Sequence, residues 1–191
     1  TEIYDYLKLL FARVGHTFSP VSGREVRCYT TDDVAAFVLE HEGARAVIAA
    51  PLTLAPGQGL IEKLTLLLSD GLMRVYTDGR VQLIEDLLPT LASDARPEDM
   101  LVVIDRLRVA SDDDMQTRLR DSVSRAFSYG DDRCSVLLDD GRHDFSARFE
   151  ADGIEFEPPT EHLFSFNNPI GACPRCEGYG KVVGIDEDLV I

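Results

Sequence analysis

The sequence has no tryptophan, only four cysteines and few basic residues. Lys and Arg total 19 against 34 Asp and Glu, which gives a formal net charge of −15. This balance disfavours a free-standing nucleic-acid binder, because contacts to phosphates need a basic face. It favours instead a protein partner that carries positive charge.

The sequence also lacks the features of secreted and membrane proteins. Cys28 and Cys134 stand alone, which fits a reducing cytoplasm better than a disulfide scaffold. No apolar run approaches the roughly 20 residues that span a bilayer. The N-terminal residues TEIYDYLKLL do not resemble a signal peptide. We therefore predict a cytoplasmic protein with no membrane contact.

Known catalytic motifs are missing as well. The sequence has no phosphate-binding loop of the Walker A type, and Gly57-Gln58-Gly59 is followed by neither the lysine nor the hydroxyl that such a loop needs. It has no nucleophile elbow and no H-E-x-x-H helix. We predict no catalytic residue and no enzymatic activity for this chain.

What is present is the composition and pattern of an α+β fold. Hydrophobic residues make up 45% of the chain, enough for a buried core. Periodicity predicts helices at 1–14, after a cap at Thr31-Asp32, at 60–68 and at 115–128. Buried strands are predicted at 46–50 and 100–109. Asp78-Gly79 and Asp140-Gly141 predict two β-hairpins, 72–77 with 80–84 and 134–138 with 144–149.

The clearest chemical motif is Cys173-Pro174-Arg175-Cys176, followed by Gly178 and Gly180. Two thiolates at this spacing can hold one zinc ion from one side, but a structural zinc site needs four ligands. His143, His162 and Asp152 have no ligand-like spacing, and the sequence has no second cysteine pair. We therefore treat Cys173 and Cys176 as a half zinc-finger knuckle and predict that it holds no zinc. A redox pair is disfavoured, because no thioredoxin-like βαβ unit precedes it.

Two arginines on predicted strands are the candidate binding residues. Arg74 lies between Met73 and Val75, and Arg106 follows Asp105 at the end of the most apolar strand. If both project from one rim, they can form bidentate pairs with carboxylates of a partner. The alternative is pairing within the chain, for example of Arg106 with acidic groups near Asp105 or with the acidic run at 112–114.

Two segments near the ends of the chain carry long, specific motifs. The first is TEIYDYL at 1–7, continued by FARVG at 11–15. The second is LFSFNNP at 163–169, followed by GACP at 171–174, Cys176 and Gly178. Both resemble the UvrA family, the damage-sensing ATPase subunits of the bacterial excinuclease in nucleotide excision repair. Looser similarity at 50–51, 72–79, 102–107 and 118–122 extends the resemblance to essentially the whole chain.

The resemblance implies an internal fragment with three parts. Residues 1–19 would start the ATP-binding and signature domain, 20–147 would form the inserted domain that docks UvrB, and 148–191 would begin the signature domain. The positions of Arg74 and Arg106 are implied to meet UvrB. The parent protein would bind ATP and Mg, contact DNA through its other parts and form a homodimer, whereas this fragment would hold no cofactor.

The sequence departs from the family at the expected metal ligands. Many relatives carry a C-P-x-C-G pair before the LFSFNNP motif, but the corresponding stretch 149–154 has no cysteine. Ser19-Pro20-Val21-Ser22-Gly23 has serine where relatives often have cysteine. The alternative function is a nucleic-acid-contacting zinc knuckle, which the excess of acidic residues in 111–159 disfavours. An enzyme of unknown class is the third hypothesis.

Overall fold

The structure is a computed structural model that describes residues 2–92, 97 and 99–181. The chain divides into two compact units, which are described separately below. One comprises Cys28–Arg148, and the other comprises the described parts of Thr1–Arg27 and Phe149–Ile191. None of the helices in the described ranges is both long enough and apolar enough to cross a bilayer.

The described residues form five α-helices and eight β-strands. The helices are α1 Glu2–Val14, α2 Thr31–Leu39, α3 Leu60–Ser69, α4 Ile84–Leu87 and α5 Asp113–Tyr129, with a short 3-10 turn at Leu88–Thr90. The strands are β1 Arg45–Pro51, β2 Arg74–Thr77, β3 Arg80–Leu83, β4 Leu101–Arg108, β5 Arg133–Leu138, β6 Gly141–Ser146, β7 Glu150–Ala151 and β8 Ile154–Glu155.

A six-stranded antiparallel sheet forms the centre of the unit Cys28–Arg148. Its strand order is β3-β2-β4-β1-β5-β6, so the apolar strands β1 and β4 lie in the middle. β1 pairs with β4 on one side and with β5 on the other, and both pairs are antiparallel. Helices combined with an antiparallel sheet make an α+β fold, which confirms the predicted fold class.

The helices of this unit pack on one face of the sheet. Alternation along β1 turns Ala46, Ile48 and Ala50 towards α2 and α5, where they join one continuous apolar core. A second core lies beneath α3, whose Leu60, Leu64 and Leu67 pack with residues of β2 and β4. Because three- and four-residue spacing puts these leucines on one side of the helix, α3 buries that side and exposes the other.

Local signals explain where α2 and α5 begin. The Thr30 hydroxyl accepts a hydrogen bond from the Asp33 N–H at 3.2 Å, and the Asp33 carboxylate accepts one from the Thr30 N–H at 2.8 Å. This capping box starts α2 at Thr31, so the predicted cap at Thr31-Asp32 was one residue late. The Asp112 carboxylate caps α5 by accepting from the Met115 N–H at 2.7 Å.

The two predicted hairpins form, but only one has the predicted turn. Asp78 and Gly79 both adopt positive φ, 53° and 74°, and connect β2 to β3 as expected. In the second hairpin Gly141 already pairs with Leu138, so the turn consists of residues 139–140. The predicted turn at Asp140-Gly141 and strand at 144–149 were therefore wrong in position, because pairing begins directly after two aspartates.

The other unit contains α1 and a small hairpin. The Tyr4 hydroxyl donates to the Phe164 carbonyl at 2.9 Å, and the Tyr4 and Phe166 rings lie 5.5 Å apart. Strands β7 and β8 pair around Asp152-Gly153, a further Asp-Gly turn that the sequence analysis missed. Thr1, the first residue of the predicted helix, lies outside the described residues. The predicted domain boundaries at 19/20 and 147/148 stay a prediction.

Candidate functional site

The sheet of the unit Cys28–Arg148 has a second face that differs from its helix-packed face. Ala49, Leu101 and Leu137 point to this second face and form a small apolar cluster with Val47 and Tyr76. None of the described helices of the unit packs there, since α2, α3 and α5 all join the cores on the opposite side. On the second face, side chains from several strands can therefore contact the same partner, because no described helix of the unit covers them.

Four arginines surround a concavity on this face. Arg45 of β1 pairs directly with Arg108 of β4, and Val47 pairs with Arg106. Arg74 of β2 lines the same concavity, whose volume is about 720 Å³. All four arginines are exposed. We call this surface, defined by Arg45, Arg74, Arg106 and Arg108, the arginine face.

The arginine face is poorly neutralised from within the chain. Like charges placed directly opposite each other on neighbouring strands destabilise a sheet, and Arg45 and Arg108 are such a pair. Among the described residues, none of the four guanidinium groups forms an ion pair. Arg108 Nε donates instead to the Gly43 carbonyl at 3.2 Å. In a chain of net charge −15, this is a local basic surface that can accept carboxylates.

A β-bulge in β4 determines which side chains reach the arginine face. Val103 pairs with Ala49, whereas Asp105 pairs with the preceding residue Ile48, so Ile104 is an extra residue. The bulge turns Asp105 towards α5, where its carboxylate accepts from Arg118 Nε at 2.8 Å and Nη2 at 2.7 Å. Arg118 thus binds the Asp105 carboxylate, and the ion pairs of the described residues include none between Arg106 and Asp105 or the acidic run at 112–114.

The environment of Asp105 favours its charged form. Burial acts to raise the pKa of the carboxyl group, but hydrogen bonds from Arg118, Ser122 and the Arg106 N–H outweigh burial and hold the pKa below its ordinary value. The Ser122 hydroxyl donates at 3.0 Å and the Arg106 N–H at 2.7 Å. The same interaction raises the pKa of Arg118. Asp105 is thus a charged group bound to three donors on the helix-packed side.

The cysteine knuckle of Cys173 and Cys176 lies in the other unit. Cys173 accepts the Cys176 N–H through its carbonyl at 3.2 Å, which closes the turn between the two thiols. Backbone N–H groups of Arg175 and Cys176 lower the pKa of the Cys173 thiol. In the described part of the chain, no group of three or more His, Cys, Asp or Glu side chains converges as metal ligands would. Two thiols alone do not make the four-ligand set of structural zinc.

A hydrogen-bonded cluster links the two stretches, 19–23 and 149–154, in which the resemblance led us to expect cysteines. The Ser19 and Ser22 hydroxyls both donate to Asp152 Oδ2, and Arg24 Nη2 donates to Asp152 Oδ1 at 2.6 Å. The hydrogen bond from Ser19 makes the largest contribution, and together with those from Ser22 and Arg24 it holds the pKa of the Asp152 carboxyl well below its usual range. The cluster joins the 19–24 turn to the β7–β8 hairpin with hydroxyl and guanidinium groups, which are not zinc ligands.

The structure brings together the two arginines that the sequence analysis selected. Arg74 and Arg106 line the same concavity, which was the condition set for a shared binding rim. Arg45 and Arg108 were missed. The signal for Arg108 was present, because residues two apart on a strand lie on one face and Arg106 and Arg108 have that spacing. Arg45 could not be placed without knowing that β1 pairs with β4.

Comparisons with known proteins identify the family. The sequence profile described as UvrA interaction domain matches residues 30–140. UvrABC system protein A of Methanothermobacter thermautotrophicus is 36% identical over 201 aligned residues, which cover 100% of this chain and 20% of that protein. The proteins of the same name from Thermus thermophilus and Staphylococcus aureus strain N315 are each 34% identical, over 196 and 198 residues, with the same coverage. The chain belongs to the UvrA family.

Membership of the UvrA family confirms the resemblance found in the sequence. The chain spans about a fifth of the length of the curated UvrA-family relatives that it matches, 20% in each of the three described above. The segment matched to the UvrA interaction domain contains all four residues of the arginine face. The knuckle cysteines Cys173 and Cys176 lie outside that segment.

Proposed function

We propose that this chain is the UvrB-docking module of a UvrA-type nucleotide excision repair subunit. The observation that carries the proposal is the arginine face, four exposed guanidinium groups around one concavity on the helix-free side of the sheet. Arg74 and Arg106 are its central contacts, and Arg45 and Arg108 extend the surface. All four lie within the segment that matches the UvrA interaction domain.

The chemistry of this face favours an acidic partner surface. Guanidinium groups form bidentate pairs with carboxylates, and bringing an acidic surface over Arg45 and Arg108 relieves the repulsion between them. Net charge alone predicted a positively charged partner. The four guanidinium groups of the arginine face favour a negatively charged partner surface instead. Complementary charges at the contact accelerate association and set the orientation of the partner, so docking should weaken as salt increases.

The role of the module is recruitment and not catalysis. We place ATP and Mg binding, DNA contact and homodimer formation in the other parts of the parent protein, and we place the parent in the cytoplasm. The module would bring UvrB to the parent at damaged DNA. The cysteine knuckle has no part in this role, and zinc is not required for it.

The test is calorimetric titration of the chain with UvrB at low and moderate salt. We expect binding that weakens with salt and is lost in the Arg74→Glu, Arg106→Glu double variant. The matched control is Arg80→Glu, Arg125→Glu, which makes the same charge change at exposed positions outside the arginine face. Circular dichroism checks that each variant is folded. Equal losses in both double variants would assign the effect to net charge, and no binding by the folded wild-type chain would overturn the proposal.

A gel shift with duplex DNA at low salt tests the nucleic-acid alternative. A basic concavity attracts phosphates as well as carboxylates, but the surrounding acidic chain repels a polyanion. We expect no shift. Tight binding with a steep salt dependence would favour direct nucleic-acid contact over UvrB docking.

A further inference from the structure

We infer that Asp105, Arg118 and Ser122 are positioning residues for the proposed docking face, because they hold the bulge of β4 that turns Arg106 towards the partner. None of the three lies among the four arginines of that face. The inference rests on the proposed function for the identity of the partner, while the positioning itself is a property of this chain.

The bulge decides on which side of the sheet the side chains of β4 after Ile104 lie. Val103 and its partner Ala49 lie on the same side of the sheet as the arginine face. Without an extra residue, strict alternation would put Asp105 on that face and Arg106 on the helix-packed side. The extra residue Ile104 reverses both assignments, so Arg106 pairs with Val47 on the arginine face. The location of the bulge therefore determines the sign of the charge presented there.

Three hydrogen bonds from two residues of α5 hold the carboxylate that the bulge turns inwards. Arg118 donates two hydrogen bonds in a bidentate arrangement, and Ser122 one turn further along α5 donates a third at 3.0 Å. Both residues lie on one side of α5, as a spacing of four residues requires. The neighbouring residues Leu119 and Val123 are fully buried in the core, so the donors project from a firmly packed helix.

The same carboxylate binds the backbone at the bulge itself. Asp105 Oδ1 accepts the N–H of Arg106 at 2.7 Å, so the side chain that α5 holds also fixes the peptide that leads into Arg106. A bulge leaves its extra residue outside the regular ladder, and a side-chain acceptor at this point stabilises one position of the bulge over its neighbours. Loss of the bulge, or its transfer beyond Arg106, would place the Asp105 carboxylate on the arginine face and remove the Arg106 guanidinium.

A double-mutant cycle on UvrB affinity tests whether Arg118 acts through Arg106. The variants are Arg118→Gln, Arg106→Gln and the combination, with Arg120→Gln as the control on the same helix, where Arg120 pairs with exposed Asp32. We expect Arg118→Gln to weaken binding by about tenfold, or about 1.4 kcal/mol, and to have little further effect when Arg106 is already glutamine. Additive losses, or an equal loss in Arg120→Gln, would overturn the inference.

A second measurement does not depend on UvrB. Phenylglyoxal modifies accessible arginines, and peptide mass spectrometry compares the modification rate of Arg106 with that of Arg74 in the same sample. We expect the relative rate of Arg106 to fall several-fold in Arg118→Gln and to stay unchanged in Arg120→Gln. An unchanged rate in Arg118→Gln would overturn the positioning role, whereas failure of the wild-type chain to bind UvrB would overturn only the proposed function.

Discussion

Replacing Asp105 with asparagine tests how far one charged carboxylate stabilises the contact between β4 and α5. The substitution keeps the shape of the side chain but removes the charge to which Arg118 donates twice. A hydrogen bond to a charged group contributes about 1.5–3 kcal/mol. Because the Asp105 side chain is 19% exposed and that of Arg118 is 52% exposed, solvent screens the pair. We expect the free energy of unfolding to fall by about 1–2 kcal/mol.

The pH dependence of this loss has a defined sign. The pKa of Asp105 is lowered in the folded chain. The contribution of the Asp105 charge to the free energy of unfolding is therefore fully present above the pKa of about 3.9 in the unfolded chain. It is lost as the pH falls through the pKa in the folded chain. Asparagine does not titrate. The difference between the two proteins should stay constant from about pH 7 to about pH 5 and shrink below about pH 4.

Urea unfolding at several pH values measures the difference in free energy of unfolding between the wild type and Asp105→Asn. Far-ultraviolet circular dichroism monitors the unfolding, since the chain has no tryptophan to serve as a fluorescent probe. The control is Asp121→Asn, an exposed carboxylate on α5. We expect this control to differ from the wild type by less than about 0.5 kcal/mol. A gap of the same size at every pH, or an equal loss in the control, would refute the reasoning.

Three further predictions concern metal content, thiol reactivity and the core. Elemental analysis should find far less than one zinc per purified chain, and near-stoichiometric zinc that a chelator removes would contradict this. Burial raises the pKa of the Cys134 thiol to about 12, so Cys134 should react with a thiol reagent only after unfolding, whereas exposed Cys28 reacts in the native chain; equal native rates would disprove it. Leu64→Ala should cost about 2–5 kcal/mol in urea unfolding, because Leu64 is fully buried in α3. The half-exposed Leu66→Ala should cost under about 0.5 kcal/mol, and similar losses in both would argue against this core.

Local signals in the sequence were sufficient to predict most elements. The Asp78-Gly79 pair fixes its hairpin because both residues accept positive φ, and the periodic leucines of α3 fix a helix and its buried side. The start of α2 was misplaced by one residue because two adjacent threonines, Thr30 and Thr31, can each act as a cap. Only the reciprocal bonds with Asp33 distinguish them.

The candidate site could be predicted only in part. Arg74 and Arg106 were selected as isolated cations on strands, but their common face depends on strand order, which pairs residues far apart in the chain. The bulge had no signal in the sequence. Residues 101–104 are uniformly apolar, and without alternation there is no parity from which a switch of sides could be detected.

The central position of β1 has a consequence for how the unit Cys28–Arg148 folds during synthesis. β1 ends at Pro51, but its two partners are β4, which begins at Leu101, and β5, which ends at Leu138. One edge of this almost entirely apolar strand therefore stays unpaired until β4 has left the ribosome, and the other stays unpaired until β5, near the end of the unit, has followed. Closing such distant pairs is slow, and an unpaired apolar strand is prone to aggregation in the meantime. A chain truncated before β5 would keep one of those edges open permanently.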